Sequence, residues 1–132
     1  MSEENVNLIR ESYEAWNRQE IQWSLERITD DFEFWPLDGF MDLEPVYRGR
    51  DGWTRFWGIW RDAWDSISLE VVRLEAVGDR VVALILATGR GAGSGIDVEL
   101  EIANVFTIKD GLMTKVESMR WDQALEAVGL SE

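Results

Sequence analysis

The spacing of apolar residues divides the chain into an early, mostly helical part and a later part made of strands. Apolar positions at intervals of three and four predict an amphipathic helix over residues 5–18 and a short second helix that carries Ile21, Leu25 and Ile28. A third helix has the clearest pattern, because its apolar residues form one continuous stripe. The stripe consists of Trp53, Phe56, Trp57, Trp60 and Trp64.

The stretch FEFWPLDGF, residues 32–40, interrupts the helical pattern. Its aromatic residues predict a strand over 31–36, which Pro36 would end because proline has no N–H for a sheet hydrogen bond. A loop over 37–49 follows, with Gly39, Pro45 and Gly49. The pattern alone does not explain why Trp35, Pro36 and the carboxylate of Asp38 stand together at the end of this strand.

After Asp65 the period of the pattern changes to two, which predicts strands at 67–77, 80–90, 96–109 and 112–121. The turns Gly78-Asp79 and Asp110-Gly111 suit tight hairpins. A last helix should run from Asp122 to Val128 and end at Gly129. Because helices come early and strands late, we expect a single α+β domain over residues 1–132, with a curved antiparallel sheet and helices on one face.

The predicted strand 80–90 is apolar on both of its faces. Val81, Ala83, Ile85 and Ala87 alternate with Val82, Leu84 and Leu86. One face should meet the helices, and the other also needs a cover. A homodimer packed sheet against sheet would provide that cover, and the alternative is a central strand with modest exposure.

Charge and composition exclude several classes of function. The 132 residues include 26 acidic and 13 basic ones, and the net charge of −13 disfavours nucleic acids and anionic membranes as partners. The chain has no cysteine and no histidine, so we predict no thiol chemistry, no bound metal and no cofactor. The polar, acidic start does not resemble a signal peptide, and no apolar run is long enough to span a membrane, so a cytoplasmic location is expected.

Two polar residues stand in otherwise apolar rows. Asn104 is the polar member of the alternating row on strand 96–109, and Tyr13 lies on the apolar stripe of the first helix. A buried amide or phenol needs a hydrogen-bond partner. Each residue is therefore either a structural hydrogen-bonding group or a donor that faces a pocket.

Several segments together are similar to one family. YEAWN, YRGRDGWTRFW, GRGAGSGIDVEL, VFTIKDG and QALEAVGL, in this order, resemble SnoaL-like proteins of the nuclear transport factor 2-like superfamily. The resemblance implies a cone-shaped α+β fold with N-terminal helices on the concave face of the sheet. It also implies a pocket for a small hydrophobic molecule. The same cone hosts ketosteroid isomerases, polyketide cyclases, epoxide hydrolases and non-catalytic modules, so fold alone does not decide function.

The resemblance also suggests roles for individual residues. Tyr13 matches the first-helix tyrosine of ketosteroid isomerases, and Asn104 falls where their protonated aspartate completes an oxyanion hole. The isomerase base directly precedes the strand-end proline, and that position is Trp35 here. Asp38 is the nearest replacement, although it is also a typical turn residue.

Further candidates would line the pocket or hold a ligand. The apolar walls would come from Trp35, Tyr47, Phe56, Trp57 and Trp60. Arg120 would hold an anionic ligand or pair with Asp122. Glu117 is the late-strand acid that a polyketide cyclase would need, and its alternative is a solvated or dimer-rim glutamate. The alternating glycines of GRGAGSG do not have the spacing of a phosphate-binding loop.

Three functions remain open at this point. The first is proton transfer next to a carbonyl, as in an isomerase or a cyclase, with Tyr13 and Asn104 as oxyanion donors and Asp38 as base. The second is a non-catalytic ligand-binding or association module. The third is an epoxide hydrolase with an Asp–Arg–Asp set. A cavity where Tyr13 and Asn104 converge opposite a carboxylate would favour an enzyme, and a cone filled by indole rings would favour the module.

Overall fold

A computed structural model of the protein describes residues 2–39 and 41–130. Within these ranges the chain forms four helices and six strands of one sheet. The helices are Ser2–Asn17 (α1), Ile21–Leu25 (α2), Gly49–Asp62 (α3) and Trp121–Ala127 (α4). The strands are Ile28–Trp35 (β1), Tyr47–Arg48 (β2), Trp64–Val77 (β3), Arg80–Gly91 (β4), Asp97–Lys109 (β5) and Leu112–Met119 (β6).

The strands are ordered β2-β1-β6-β5-β4-β3 in the sheet. Strands β3 to β6 form an antiparallel meander, and irregular register between β3 and β4 and between β5 and β6 accompanies the curvature of the sheet. The predicted α+β class, with N-terminal helices on the concave face, is confirmed. One strand pair differs from the antiparallel expectation, because β1 lies parallel to β6.

Three element boundaries differ from the sequence prediction. Ile28 does not belong to α2, because it begins β1 and is fully buried there. Trp64 does not continue α3, since the helix ends at Asp62 and Trp64 pairs with Gly91 in the β3–β4 ladder. Tyr47 begins the short strand β2 within the expected loop. In each case pairing with a distant strand replaces the local helical or loop preference.

The main core lies between the concave face of the sheet and helices α1 and α3. It includes Ile9 from α1, Phe32 from β1, Ile85 from β4 and Phe106 from β5, all buried. Trp53, Phe56 and Trp60 of the predicted aromatic stripe are buried in the same core, so this part of the stripe faces the sheet. This packing places the aromatic residues of both helices around the space that the cone encloses.

The convex face is covered in part by the chain itself. Helix α4 packs Leu125 against a second apolar cluster that includes Val82 and Leu84 from β4 and Val105 from β5. The expectation that helices lie on one face only is therefore wrong, because α4 crosses to the other side. Of the three apolar residues that led us to expect a homodimer, Val82 and Leu84 pack against α4, whereas Leu86 is half-buried and lies outside this cluster. The homodimer stays a prediction.

None of the four helices in the described ranges combines the length and the apolar character needed to cross a membrane.

Candidate functional site

A small cavity lies between α1, α3 and the concave face of the sheet. Its volume is about 70 Å³. Seven aromatic residues line it: Tyr13, Trp16, Phe34, Trp53, Phe56, Trp60 and Phe106. Three further lining residues are polar and uncharged: Ser12, Asn104 and Ser118. The remaining lining residues are aliphatic, so the cavity is mostly apolar.

A chain of three polar side chains crosses one wall of the cavity. The amide nitrogen of Asn104 donates a hydrogen bond of 2.6 Å to the hydroxyl oxygen of Tyr13. The hydroxyl of Ser118 donates to the amide oxygen of Asn104. The antiparallel register pairs Asn104 directly with Ser118, which places both side chains on the concave face. The amide is thus fixed from both ends.

This arrangement leaves Tyr13 as a hydrogen-bond donor. Its oxygen already accepts a hydrogen bond from Asn104, and no described residue accepts its hydroxyl proton. Burial raises the pKa of Tyr13 well above its ordinary value, and the hydrogen bond from Asn104 opposes that rise only partly. The phenol therefore stays protonated at neutral pH.

The described lining of the cavity contains no charged side chain that could act as an acid or a base. Among the residues that the structure describes, no aspartate, glutamate, lysine or arginine lines it. Asp38 lies in the exposed turn after β1 and is not part of the lining. The structure therefore brings Tyr13 and Asn104 together but does not bring Asp38 to them.

The residues at the end of β1 do not close the cavity. Phe34 lines it, and because side chains alternate along a strand, Trp35 faces the convex side. Trp35 is 38% exposed, its indole N–H donates to Glu33, and the ammonium group of Lys115 lies over its ring. The expectation that Trp35 forms a cavity wall is therefore wrong.

The other predicted wall residues divide into two groups. Phe56 and Trp60 line the cavity as expected. Tyr47 is buried behind Phe56, and its hydroxyl accepts a hydrogen bond of 3.2 Å from the backbone N–H of Glu44. Trp57 lines a separate outer groove instead of the cavity.

The charged candidates of the last strand lie away from the cavity. Arg120 precedes α4, is exposed, and pairs with Asp122 as one alternative predicted. Glu117 lies opposite Val105 on the convex side and is 3.7 Å from the ammonium of Lys115. Neither group reaches a ligand in the cavity, and the cavity lining holds no Asp–Arg–Asp set within the described residues.

Sequence reasoning missed Ser118, Trp16 and Trp53 as cavity residues. The tight hairpin at Asp110-Gly111 would by itself pair Asn104 with Glu117, and a register shift between Thr107 and Ile108 brings Ser118 opposite Asn104 instead, so the local pattern held no signal for Ser118. Trp53 has a second role, since its indole N–H donates to the buried hydroxyl of Ser24 at 2.9 Å.

Comparison with known structures finds the same fold across nearly the whole chain. TerC, co-crystallized with polyporic acid, is 21% identical with a TM-score of 0.78, over 95% of this chain and 97% of TerC. A protein assigned as a SnoaL-like polyketide cyclase from Jannaschia sp. is 18% identical with a TM-score of 0.79, over 97% of this chain and 92% of that one.

A third structure extends the comparison to the ketosteroid isomerase-like fold. This protein from Catenulispora acidiphila, in complex with trimethylamine, is 12% identical with a TM-score of 0.74, over 94% of this chain and 93% of that one. At these identities the similarity establishes the fold only. A search among curated proteins found no significant match. The family model of the SnoaL-like domain matches residues 9–116, and the chain therefore belongs to the SnoaL-like domain family.

Proposed function

We propose that this protein binds a small, neutral, mostly apolar molecule that carries a carbonyl oxygen, and that it holds this molecule without transforming it. The proposal rests on the hydrogen-bonded side chains of Ser118, Asn104 and Tyr13, which lie on the wall of the cavity. The described lining of this cavity contains no charged residue. The cavity offers one oriented donor and a hydrophobic surround, which is the usual composition of a small-molecule site.

The hydroxyl of Tyr13 suits a neutral hydrogen-bond acceptor on the ligand. Tyr13 is held by Asn104, so little side-chain freedom is lost when its proton meets a carbonyl oxygen. The aromatic rings around it exclude water, and a hydrogen bond in such surroundings is stronger than one in water. An anionic ligand would meet no counter-charge in the described lining, and burying an unpaired charge is costly.

The missing base favours binding over turnover. Proton transfer next to a carbonyl needs a group that removes the carbon-bound proton, and such a group must lie within hydrogen-bond reach of it. Asp38 lies outside the cavity, and Trp35 stands at the position of the isomerase base. Two proteins of the same fold, TerC with polyporic acid and the Catenulispora protein with trimethylamine, hold small organic molecules.

Catalysis of the isomerase or cyclase type is the second candidate, and a specific observation favours it. Tyr13 and Asn104 lie together in the cavity, at positions that resemble those of the two oxyanion-hole residues of a ketosteroid isomerase, and the hydroxyl of Tyr13 is the donor that remains for a ligand. In this case Asp38 would have to approach the ligand through movement of the loop after β1. The two candidates differ in whether a bound ketone exchanges its carbon-bound protons.

Cyclopentanone, a compact cyclic ketone, tests both candidates by NMR. We expect binding with a dissociation constant on the order of millimolar, because so small a ligand has few atoms to contribute. Tyr13→Phe should weaken it about tenfold, as expected for loss of one buried hydrogen bond. Tyr47→Phe is the matched control, since that hydroxyl bonds Glu44 outside the cavity.

The same samples in deuterated water report proton exchange. Under the binding proposal, the protein leaves the rate of deuterium uptake at the ketone α-carbons unchanged. Uptake that the protein accelerates, and that Tyr13→Phe and Asp38→Asn each reduce, would instead establish the catalytic candidate. An affinity that Tyr13→Phe does not alter would refute the binding mode proposed for this site.

A further inference from the structure

We infer that the outer groove beside the cavity is a second binding site, and that it takes a small, free quaternary ammonium ion of the choline type. Indole rings and the carboxylate of Asp65 would hold the ion. The site is separate from the cavity at Tyr13, so this inference does not depend on the proposed function. It adds a positively charged class of ligand, for which the described lining of the cavity has no counter-charge.

The outer groove has a wall of indole rings from three elements. It lies where the ends of α1 and α3 meet the start of β3, and its volume is about 400 Å³. The rings are those of Trp16 from α1, Trp57 and Trp60 from α3, and Trp64 from β3. The plane of Trp16 is inclined by 64° to that of Trp57, and Trp60 by 58° to Trp64. The rings therefore form an angled wall instead of a flat surface.

The indole rings present carbon surface to the groove, not N–H donors. The indole nitrogens of Trp57, Trp60 and Trp64 are all buried, although Trp57 and Trp64 as whole residues are only half-buried. The part of these two rings that reaches the groove is therefore carbon. An aromatic ring carries negative charge on its face, and indole attracts cations more strongly than the other aromatic side chains. Such a wall favours a cation and offers an anion no donor.

The groove also has a carboxylate without a partner. Its charged lining residues are Arg61 and Asp65. Arg61 is exposed and has the carboxylate of Asp62 at 3.6 Å. Within residues 2–39 and 41–130, Asp65 has no ion-pair partner and is exposed. This carboxylate can therefore face a bound cation, and the net charge of −13 attracts cations to the protein at long range.

A quaternary ammonium ion suits this wall better than a primary one. A primary ammonium has three N–H donors that each need an acceptor. Asn17 lines the groove, but its amide oxygen already accepts from the N–H of Leu69 and its nitrogen donates to the carbonyl oxygen of Leu69, each at 2.9 Å. The methyl groups of a quaternary ion need no acceptor and pack directly on aromatic carbon.

The test compares choline with 3,3-dimethyl-1-butanol, its neutral isostere, by NMR of the ¹⁵N-labelled full chain. Choline should bind with a dissociation constant on the order of millimolar, because it has few atoms. It should shift the indole signals of Trp57 and Trp64. Trp35 and Trp121 are internal controls, because their N–H groups bond Glu33 and the carbonyl oxygens of β4 and β5. The isostere should bind about tenfold more weakly, since it lacks the charge.

Two kinds of variant separate the carboxylate from the rings. Asp65→Asn should weaken choline about threefold, as expected for an exposed charge pair, and leave the isostere unaffected. Glu126→Gln, which makes the same change in charge on the exposed side of α4, is the matched control. Trp57→Phe should weaken choline less than Trp57→Leu does, because phenylalanine keeps an aromatic face.

The source of the ion is tested with phosphocholine. Its phosphate adds negative charge, so it should bind more weakly than choline to a protein of net charge −13. Tighter binding of phosphocholine would indicate a lipid or another phosphate-bearing headgroup and would overturn the assignment to a free cation.

Three further outcomes would also overturn the inference. The first is equal affinity for choline and its isostere, which would show that charge is not recognised. The second is choline binding that neither Asp65→Asn nor Trp57→Leu alters. The third is loss of choline binding in Tyr13→Phe, which would place the ion in the cavity. Binding of cyclopentanone is measured separately, so failure of choline to bind would leave the proposed function standing.

Discussion

The side-chain amide of Asn104 donates a 2.6 Å hydrogen bond to the hydroxyl oxygen of Tyr13 and so joins β5 to α1 across 91 positions of the chain. Both residues are polar members of apolar rows, and this bond pairs the amide nitrogen of Asn104 with the oxygen of Tyr13. Ser118 completes the arrangement from β6. The pair therefore has a structural role whether or not a ligand is present.

A double-mutant cycle should measure that structural role. Tyr13→Phe and Asn104→Leu each remove one side of the bond, and we expect a coupling free energy of about 1 kcal/mol in urea unfolding. Asn104→Leu should also reduce ketone binding while the fold is kept, since leucine has a similar volume. The control cycle combines Asn104→Leu with Tyr47→Phe and should be additive. Additive effects in the first cycle would show that the Tyr13–Asn104 bond does not contribute to stability.

The raised pKa of Tyr13 predicts a loss of stability at high pH. The unfolded chain releases a tyrosine proton near pH 10, at about the ordinary value, whereas burial keeps the proton on Tyr13 in the folded protein. The folded state thus binds more protons above that pH, and the free energy of unfolding falls as the pH rises further. Below about pH 10, Tyr13 is protonated in both the folded and the unfolded state, so its contribution to the free energy of unfolding does not change with pH.

Absorbance at 295 nm follows tyrosine ionisation directly. The chain has two tyrosines, so the signal is simple. We expect the Tyr13 contribution to appear only together with unfolding, and Tyr13→Phe to lose that late step. Reversible ionisation of Tyr13 near pH 10 in the folded protein would show that the phenol is not shielded from water.

Two glycines of α3 should respond oppositely to alanine. A Cβ at Gly52 would lie 2.9 Å from the backbone carbon of Tyr47, so Gly52→Ala should destabilise the protein as α3 is pushed away from β2. At Gly58 nothing lies within 4 Å, and Gly58→Ala should stabilise by about 0.5–1 kcal/mol through helix propensity. Thermal unfolding of both variants tests the pair. Equal effects would contradict the close approach at Gly52.

Helix α4 should contribute strongly to stability through the convex face. Leu125 is buried against β4 and β5, so Leu125→Ala should cost about 2–5 kcal/mol in chemical unfolding. Glu126→Ala on the exposed side of the helix should change stability by less than about 0.5 kcal/mol. A small effect of Leu125→Ala would mean that α4 does not hold this face in solution.

Sedimentation equilibrium of the unmodified protein tests the predicted homodimer. The exposed Trp35 and the charged residues around it lie on the same convex face, beyond α4. A single species of 15.2 kDa at micromolar concentration would exclude a stable dimer. A species of twice that mass would support the sheet-to-sheet arrangement, and Trp35→Asp should then dissociate it.

The sequence by itself determined the order and type of most elements, the apolar stripe of α3 and the family. It also identified Tyr13 and Asn104 as the polar pair, because one polar residue in an apolar row stands out in a periodic pattern. These features depend on local period and residue type. The elements and the two polar residues are readable within a window of about a dozen residues, whereas the family resemblance comes from ordered segments along the whole chain.

Only the tertiary structure decided which faces those residues meet. It paired β1 in parallel with β6, turned Trp35 outward, carried α4 to the convex side and left Asp38 outside the cavity. It also placed Trp57 in a groove separate from the cavity that Trp60 lines. Strand pairing and helix docking depend on contacts between residues far apart in the chain, so the local pattern cannot specify them.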